Sequence, residues 1–274
     1  MNSYRASAFL SLALAVLILA FAGPAAAQEE SAEAKGRRIA EEARDSGDGY
    51  GSVTSRGEMI LRDRSGGASA RRFRSQALEG AHSDQGKSLL IFEFPPDIAG
   101  TGLLTHSKVG TDDNQWIFLP ALKRVKRISS GNQTGSFVGS EFSYEDMRTP
   151  VLEDYSYLWL KDEACPNAPE IACWVIERKP KDPDSGYSRI VNWIGQEEYR
   201  LWRAEYYDRK GARLKTLDLG DYRQHEGRFW RAGRMEMVNH PNGKSTELLW
   251  AGFDFGVPMD DDDFTTGALE RVRP

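Results

Sequence analysis

Cysteine and histidine are scarce in this chain, which has two cysteines and four histidines among 274 residues. The histidines are His82, His106, His225 and His240. None of them has a second histidine or a cysteine two or four positions away, and the two cysteines fit neither a CxxC pair nor a zinc knuckle. We therefore predict that the protein has no metal site.

Recognisable catalytic motifs are absent as well. The sequence contains no nucleophile elbow, P-loop or dinucleotide-binding glycine motif. We predict that the protein is not an enzyme and uses no cofactor. The alternative is a hydrolase acting on envelope lipids or glycans, which would need a reactive serine or an acid pair among Glu141, Glu145 and Asp146.

An excess of basic residues is also missing. The chain has 36 lysines and arginines against 41 aspartates and glutamates, which gives a formal net charge of −5. Because binding to a phosphate backbone requires a strong basic excess, we predict no nucleic-acid partner. Residues 123–127 (KRVKR) form a local basic cluster. This cluster is predicted either to lie on a solvated strand edge or to contact anionic lipid head groups or a membrane partner.

The sequence has only one long apolar run, and it lies near the N-terminus. Residues 9–21 (FLSLALAVLILAF) follow Arg5 and precede Pro24 and the small residues 25–27 (AAA). A positive start, an apolar centre too short to span a bilayer and a small-residue end are typical of a secretory signal peptide. The alternative is an N-terminal membrane anchor.

This pattern sets the predicted domain organisation. We expect residues 1–27 to be a signal peptide cleaved after Ala27, and residues 28–274 to form a single domain in the periplasm. Export would place Cys165 and Cys173 in an oxidising compartment, on either side of a proline-containing loop. They are predicted to form a disulfide that closes a hairpin, with a redox or metal role as the alternative.

Alternation of apolar and polar residues dominates the mature chain. One amphipathic helix is predicted over residues 31–46, and the strands that follow are separated by short turns such as residues 182–186 and 239–243. Ten to twelve strands joined in this way are too many for one flat sheet. The fold class is therefore predicted as mainly β (α+β): a half-open antiparallel β-barrel of about ten to twelve strands with a few covering helices.

A long glycine- and serine-rich segment, residues 129–150, interrupts this rhythm. It contains the apolar residues Phe137, Val138, Phe142 and Tyr144. Long loops in compact domains are often lids or binding loops, so these four residues are candidates for a gate. The alternative is a loop that fills the core of its own domain.

Three segments resemble the outer membrane lipoprotein-sorting protein family, which belongs to the superfamily of periplasmic lipoprotein carriers and their outer-membrane receptors (LolA/LolB-like). They are residues 89–104 (LLIFEFPPDIAGTGLL), 115–147 (QWIFLPALKRVKRISSGNQTGSFVGSEFSYEDM) and 202–216 (WRAEYYDRKGARLKT). The resemblance implies a half-open antiparallel barrel around helices, with an apolar cavity that shelters acyl chains in transit. It also implies, as a partner, an inner-membrane lipid-exporting transporter of the resistance-nodulation-division type.

An incompletely closed sheet must cover its concave face with apolar material, either its own or bound. The candidate lining residues are Met59, Leu61, Phe73, Leu90, Phe92, Phe94, Trp116, Phe118, Trp174, Ile176, Ile190 and Trp193. Core packing is the alternative role for each of them. One slip in strand register would invert the face on which they lie.

These observations together predict a monomeric periplasmic carrier. It would bind a lipid, acyl chains or a lipoprotein in the apolar cavity and transfer the cargo between envelope membranes. The helix over residues 31–46 and the segment 129–147 would cover or gate the cavity. The alternative is a periplasmic adaptor of the transporter that binds no cargo and fills its cavity with its own side chains.

Overall fold

The computed structural model describes residues 30–110 and 113–271. The predicted signal peptide lies outside the described residues, so cleavage after Ala27 remains a prediction. Residues from Ser31 onward form one compact unit. Within the described ranges, no helix combines the length and the apolar character that a membrane crossing requires.

Two α-helices and fifteen strands, with six short 3₁₀ helices between them, make up the regular structure of the described residues. The α-helices are α1 (Ala32–Asp45) and α2 (Thr266–Glu270). The first six strands are β1 (Ser52–Arg62), β2 (Ala68–Glu79), β3 (Gly86–Phe94), β4 (Gly102–His106), β5 (Asn114–Leu119) and β6 (Arg124–Ile128). The others are β7 (Tyr155–Cys165), β8 (Ala168–Pro180), β9 (Tyr187–Gly195), β10 (Leu201–Asp208), β11 (Arg213–Gly220), β12 (Arg223–His225), β13 (Phe229–Arg231), β14 (Arg234–Asn239) and β15 (Lys244–Phe255).

Thirteen of these strands form one open antiparallel sheet, in the order β6-β5-β4-β3-β2-β1-β15-β14-β11-β10-β9-β8-β7. The other two, β12 and β13, pair as a short ribbon. Pairing of β1 with β15, with Met59 opposite Leu248, joins two meanders into this sheet. The predicted half-open antiparallel architecture is confirmed, with one strand more in the main sheet than the upper limit expected.

The sheet is strongly curved. A single apolar cluster includes residues from nine adjacent strands, β4 to β9 in sheet order, among them Leu103, Met59 and Ile190. If the sheet were flat, these strands would extend over about 38 Å, at about 4.8 Å per strand. They can share one cluster only because the sheet curls around it. We call the surface that faces this cluster the inner face.

The opposite surface, the outer face, is covered in part by the C-terminal segment. Leu89 and Ile91 alternate with the inner-face residues of β3 and pack against Phe264 and Leu269. Lys87 forms an ion pair with Asp261, 2.6 Å between Nζ and Oδ1. Strand β3 is therefore buried on both faces.

Helix α1 has the boundaries that its sequence predicts. The Ser31 hydroxyl caps the helix by accepting a hydrogen bond from the Ala34 backbone N–H at 3.2 Å. Its apolar stripe centres on Ile39, which packs on Ile176 and Ile194 of the inner face. The helix therefore covers the part of the inner face next to the edge strand β7.

The predicted hairpin disulfide is present. Cys165 at the end of β7 is bonded to Cys173 of β8, and both residues are buried. They pack against Trp202 in a small apolar cluster. The bond therefore links β7 and β8 next to the turn of their hairpin, at the edge of the sheet.

Substituting Gly36 by alanine tests how closely α1 approaches β7. A Cβ atom built on Gly36 would lie 2.6 Å from the Trp159 backbone nitrogen, which is too short for van der Waals contact. We expect Gly36→Ala to lower the urea midpoint of unfolding, although alanine favours an unobstructed helix by about 1 kcal/mol. Ala34→Gly at an exposed position is the control and should cost about that amount. A more stable Gly36→Ala variant would contradict the close packing.

The pH dependence of stability tests the attachment of the C-terminal segment. His106 Nε2 donates to the Phe264 carbonyl at 2.6 Å, and burial lowers the pKa of His106. The unfolded chain therefore binds more protons below about pH 6.5, so stability should fall as the pH is lowered from about 7.5 to 5.5. His106→Gln keeps a donor and should show a shallower fall in urea midpoint. An unchanged slope would rule out this role of His106.

Candidate ligand site on the inner face

Residues 129–154, which we call the crossing segment, connect the two edges of the sheet. They leave β6 at one edge and enter β7 at the other. The Phe137 side chain is 0% exposed and stacks on Phe92 at 5.7 Å between ring centroids. Phe142 is buried in the same cluster. The crossing segment therefore fills the centre of the inner face. This agrees with the alternative that the loop fills the core of its own domain.

The four predicted gate residues all belong to this central packing. Phe137 and Phe142 are buried members of the cluster, and Val138 and Tyr144 pack against them. The Phe137 and Tyr144 rings meet edge to face at 5.7 Å. Their movement as a gate remains a prediction.

Buried polar contacts anchor the crossing segment to the sheet. Asp146 accepts from Lys215 Nζ at 2.5 Å and from the Tyr187 hydroxyl at 2.7 Å. Burial, together with the neighbouring Asp146 carboxylate, raises the pKa of Tyr187, so its phenol stays protonated and donates. Gln115 of β5 donates to the Tyr144 carbonyl at 3.0 Å. Strands from both halves of the sheet thus hold the segment.

The three acids of the hydrolase alternative serve as anchors. Glu141 accepts from Asn239 at 2.7 Å. Glu145 accepts from the Ser185 hydroxyl and the Gly186 backbone N–H, while burial raises the pKa of Glu145. Asp146 is bound as described above. All three acids therefore form hydrogen bonds that hold the crossing segment in place.

The predicted lining residues divide between several surfaces. Six lie in or against the central cluster of the inner face: Met59, Leu61, Phe73, Leu90, Phe92 and Ile190. Trp174 and Ile176 lie on the inner face near α1. Phe94 is 40% exposed at the end of β3, beside Arg72.

The remaining three predicted residues lie on the outer face. Trp116 and Phe118 pack with the C-terminal segment. Trp193 packs near the disulfide and donates to Glu163 at 2.6 Å. The twelve residues therefore do not form one surface, because successive residues of a strand point to opposite faces. Ligand binding by the inner-face residues remains a prediction.

An open cavity of about 290 Å³ remains between α1 and the crossing segment. Its apolar floor consists of Tyr157, Ile176, Ile194 and Leu201. Ala40, Ala43, Pro150 and Leu152 border it from the two covers, and its polar lining residues are Arg44, Ser83, Asp84, Thr149, Arg178, Asn192 and Tyr199. We call this space the α1 cavity. Of the predicted lining residues, only Ile176 contributes to it.

One group of possible metal ligands occurs in the described part of the chain. Asp45, Asp48 and His82 have ligand atoms within 4.8 Å of one another, at the exposed end of α1. Asp48 already accepts from the His82 ring at 2.8 Å and from the Ser83 backbone N–H at 2.6 Å. These hydrogen bonds account for the cluster without an ion.

The predicted basic cluster lies on an edge of the sheet. Strand β6 is the edge strand opposite β7, and Arg124, Lys126 and Arg127 on it are exposed. Lys123 in the preceding turn is exposed too. The structure thus agrees with a solvated strand edge.

The curved open sheet with its helical cover places the protein in the half-open β-barrel class of fold. The first comparison is with an outer membrane lipoprotein-sorting protein domain from Vibrio parahaemolyticus. It is 43% identical, with a TM-score of 0.83 over 86% of this chain and 99% of that chain. A DUF1329 family protein from Desulfovibrio piger is 29% identical, with a TM-score of 0.81 over 87% and 99%.

A less similar protein has the same fold. A LolA superfamily protein from Nitrosomonas europaea is 18% identical, with a TM-score of 0.68 over 85% of this chain and 98% of that chain. A family model described as "Uncharacterized protein" matches residues 84–271. No curated protein matches the sequence. The chain belongs to the outer membrane lipoprotein-sorting protein family, as the three sequence segments predicted.

Asp146→Asn tests the anchoring of the crossing segment. The side chains of Lys215 and Asp146 are 6% and 2% exposed, so the substitution leaves a buried ammonium without its counter-ion. We expect a loss of about 3–5 kcal/mol in the free energy of unfolding, measured by urea titration. Adding Lys215→Met should recover part of the loss.

A surface pair provides the control for this substitution. Asp261 pairs with Lys87 but is largely exposed. Asp261→Asn should therefore lower the free energy of unfolding by no more than about 1 kcal/mol. Equal losses for Asp146→Asn and Asp261→Asn would show that burial of the Lys215 pair does not anchor the segment.

Proposed function

We propose that the protein is a periplasmic, non-enzymatic carrier that transfers a lipid or an acylated protein between envelope membranes. The α1 cavity would hold an acyl chain of the cargo. One observation, the 43% identity to a lipoprotein-sorting protein domain, supports the function, and the sequence pattern that predicts a signal peptide supports the location. We further propose that it acts as a monomer.

The observation that carries this proposal is the apolar floor left open between the two covers. Each methylene buried there contributes about 0.8 kcal/mol, so one chain can be held without any specific polar contact. The volume of about 290 Å³ is at the lower limit for ligand pockets. It suits part of one chain, and a larger cargo would require one cover to move.

Helix α1 is the cover that can move at lower cost. Its ion pair between Arg37 and Glu153 joins side chains that are 35% and 43% exposed, and such pairs contribute about 0–1 kcal/mol. Glu42 accepts from the Tyr199 hydroxyl at 2.6 Å. The crossing segment, in contrast, has buried aromatic rings and a buried ion pair. We therefore assign the gating movement to α1 and a fixed filling role to the crossing segment.

A cargo-free adaptor is the second candidate function. The filling of the central inner face by Phe137 and Phe142 favours it, because an adaptor needs no large cavity. Its partner would be an inner-membrane lipid-exporting transporter of the resistance-nodulation-division type. The two candidates differ in whether the purified protein takes up lipid.

Filling the α1 cavity tests the carrier proposal. Ala43 borders the cavity from α1, so Ala43→Phe should occupy the space that an acyl chain would use. We expect the wild-type mature protein to take up a lipid chain from vesicles, with uptake reduced at least tenfold in Ala43→Phe. Native mass spectrometry after removal of the vesicles measures the bound lipid, and circular dichroism monitors the fold.

Ala34→Phe on the exposed side of the same helix is the matched control and should bind as the wild type does. Equal uptake by Ala43→Phe and wild type would exclude the α1 cavity as the chain site. A wild-type protein that takes up no lipid at all would favour the adaptor.

A further inference from the structure

The α1 cavity contains an unusual concentration of unpartnered polar atoms. Among the described residues, seven buried side-chain nitrogen or oxygen atoms have no hydrogen-bond partner. Three of them belong to residues that line this one cavity: Asp84 Oδ1, Arg178 Nε and Asn192 Oδ1. These residues are 4%, 8% and 8% exposed. Because unpaired buried polar atoms are costly, their concentration here is typical of a site where a polar ligand group pairs with them.

Arg178 is the exception among the buried charges of the described chain. Six charged residues are buried, and four of them form ion pairs: Asp113, Glu177, Lys215 and Glu247. Asp84 accepts from the Leu152 backbone N–H at 2.7 Å. The Arg178 guanidinium has no hydrogen-bond acceptor and no carboxylate partner in the described ranges. It lies over the Tyr155 ring, 4.8 Å from the centroid.

The strand register places the polar groups beside the apolar floor. Arg178 pairs with Ile190, and Ile176 pairs with Asn192, across β8 and β9. Arg178 and Asn192 are therefore diagonal neighbours on the inner face, and Ile176 lies beside Arg178 on β8 and directly opposite Asn192. A ligand that places its chain on Ile176 and Ile194 would bring its polar end to Arg178 and Asn192.

The charges of the lining select the sign of that polar end. Two guanidinium groups, Arg44 and Arg178, and one carboxylate, Asp84, line the cavity. Arg44 is already ion-paired, with its Nη2 atom 2.6 Å from Asp45 Oδ1 and 3.6 Å from Glu41 Oε1. Arg178 is therefore the lining cation that has no carboxylate partner among the described residues. Water could satisfy the Nε donor of Arg178 but would not pair with its positive charge. An anion would do both, because charge-assisted hydrogen bonds to a guanidinium are among the strongest in proteins. The free acceptors of Asp84 and Asn192 would suit a hydroxyl group on the same head group.

We propose that the α1 cavity binds a single-chain lipid with an anionic head group, carboxylate or phosphate, through Arg178. This inference rests on the proposed carrier function and names the class of its cargo. The cavity volume limits the ligand to one chain, and the unpaired guanidinium requires the anion. Asn192 and Asp84 would orient the head group beside Arg178.

Binding of matched lipids to the full mature protein tests the proposal. The probes are palmitate, hexadecyl phosphate and the neutral hexadecanol, each below its aggregation concentration, measured by native mass spectrometry and calorimetry. We expect at least one anionic probe to bind the wild type about tenfold or more tightly than hexadecanol. The stronger of the two anions distinguishes a carboxylate from a phosphate head group.

Arg178→Met removes the charge and keeps much of the side-chain volume. We expect it to weaken anion binding about tenfold or more and to leave hexadecanol binding within about twofold. Arg189→Met is the matched control, since Arg189 on β9 already pairs with Glu177 and stacks on Tyr207. It should bind all three probes as the wild type does. The urea midpoint of ligand-free Arg178→Met should equal or exceed that of the wild type.

The possible failures are distinguishable. Equal binding of anions and hexadecanol, unchanged in Arg178→Met, would overturn the head-group proposal and leave the carrier function standing. Failure of all three probes to bind would overturn both. If inorganic phosphate alone competes fully with hexadecyl phosphate at similar concentration, the site binds a free anion and the lipid assignment is wrong. A large loss of ligand-free stability in Arg178→Met would show that Arg178 has a structural role instead.

Discussion

The two edges of the main sheet, β6 and β7, follow one another along the chain, and the rest of the structure depends on this constraint. The chain must pass between opposite edges within residues 129–154. It does so across the inner face, where irregular backbone needs hydrogen-bond partners away from water. Gln115, Lys215 and Thr246 of the sheet supply them. Apolar filling and polar anchoring of the crossing segment therefore have the same topological origin.

The same topology gives the inner face two covers that are attached unequally. The crossing segment is held by several buried aromatic rings and the buried Asp146–Lys215 pair. Helix α1 is held by buried Ile39 and by polar contacts that are partly exposed, such as the Arg37–Glu153 pair. The α1 cavity lies where the two covers meet, with Ala43 on one side and Leu152 on the other. Under the proposed function, a chain entering there would displace α1 before it disturbed Phe137. The space for a ligand and the stable core are thus separated within one curved sheet.

Local signals in the sequence predict much of this fold, including the helix that begins at Ser31, the Cys165–Cys173 disulfide and most of the turns. The face of the sheet on which a given side chain lies depends on the register of its strand, and local sequence signals do not determine that register. Trp116 and Phe118 therefore lie opposite the expected face, although Phe92 lies on it. Arg178 gives no signal at all in the sequence, because its lack of a counter-ion arises from tertiary packing.

The polar end of the α1 cavity is the part that can select a cargo. Each buried methylene contributes about 0.8 kcal/mol whichever molecule it belongs to, so the apolar floor distinguishes chains only by their length. A buried guanidinium without a counter-ion discriminates by charge, because the cost of its desolvation is offset only when an anion enters. A chain joined to a protein through an amide or ester brings no anion to that position. If Arg178 binds the head group as proposed, it would favour a free single-chain lipid over an acylated protein, and the head group would determine loading.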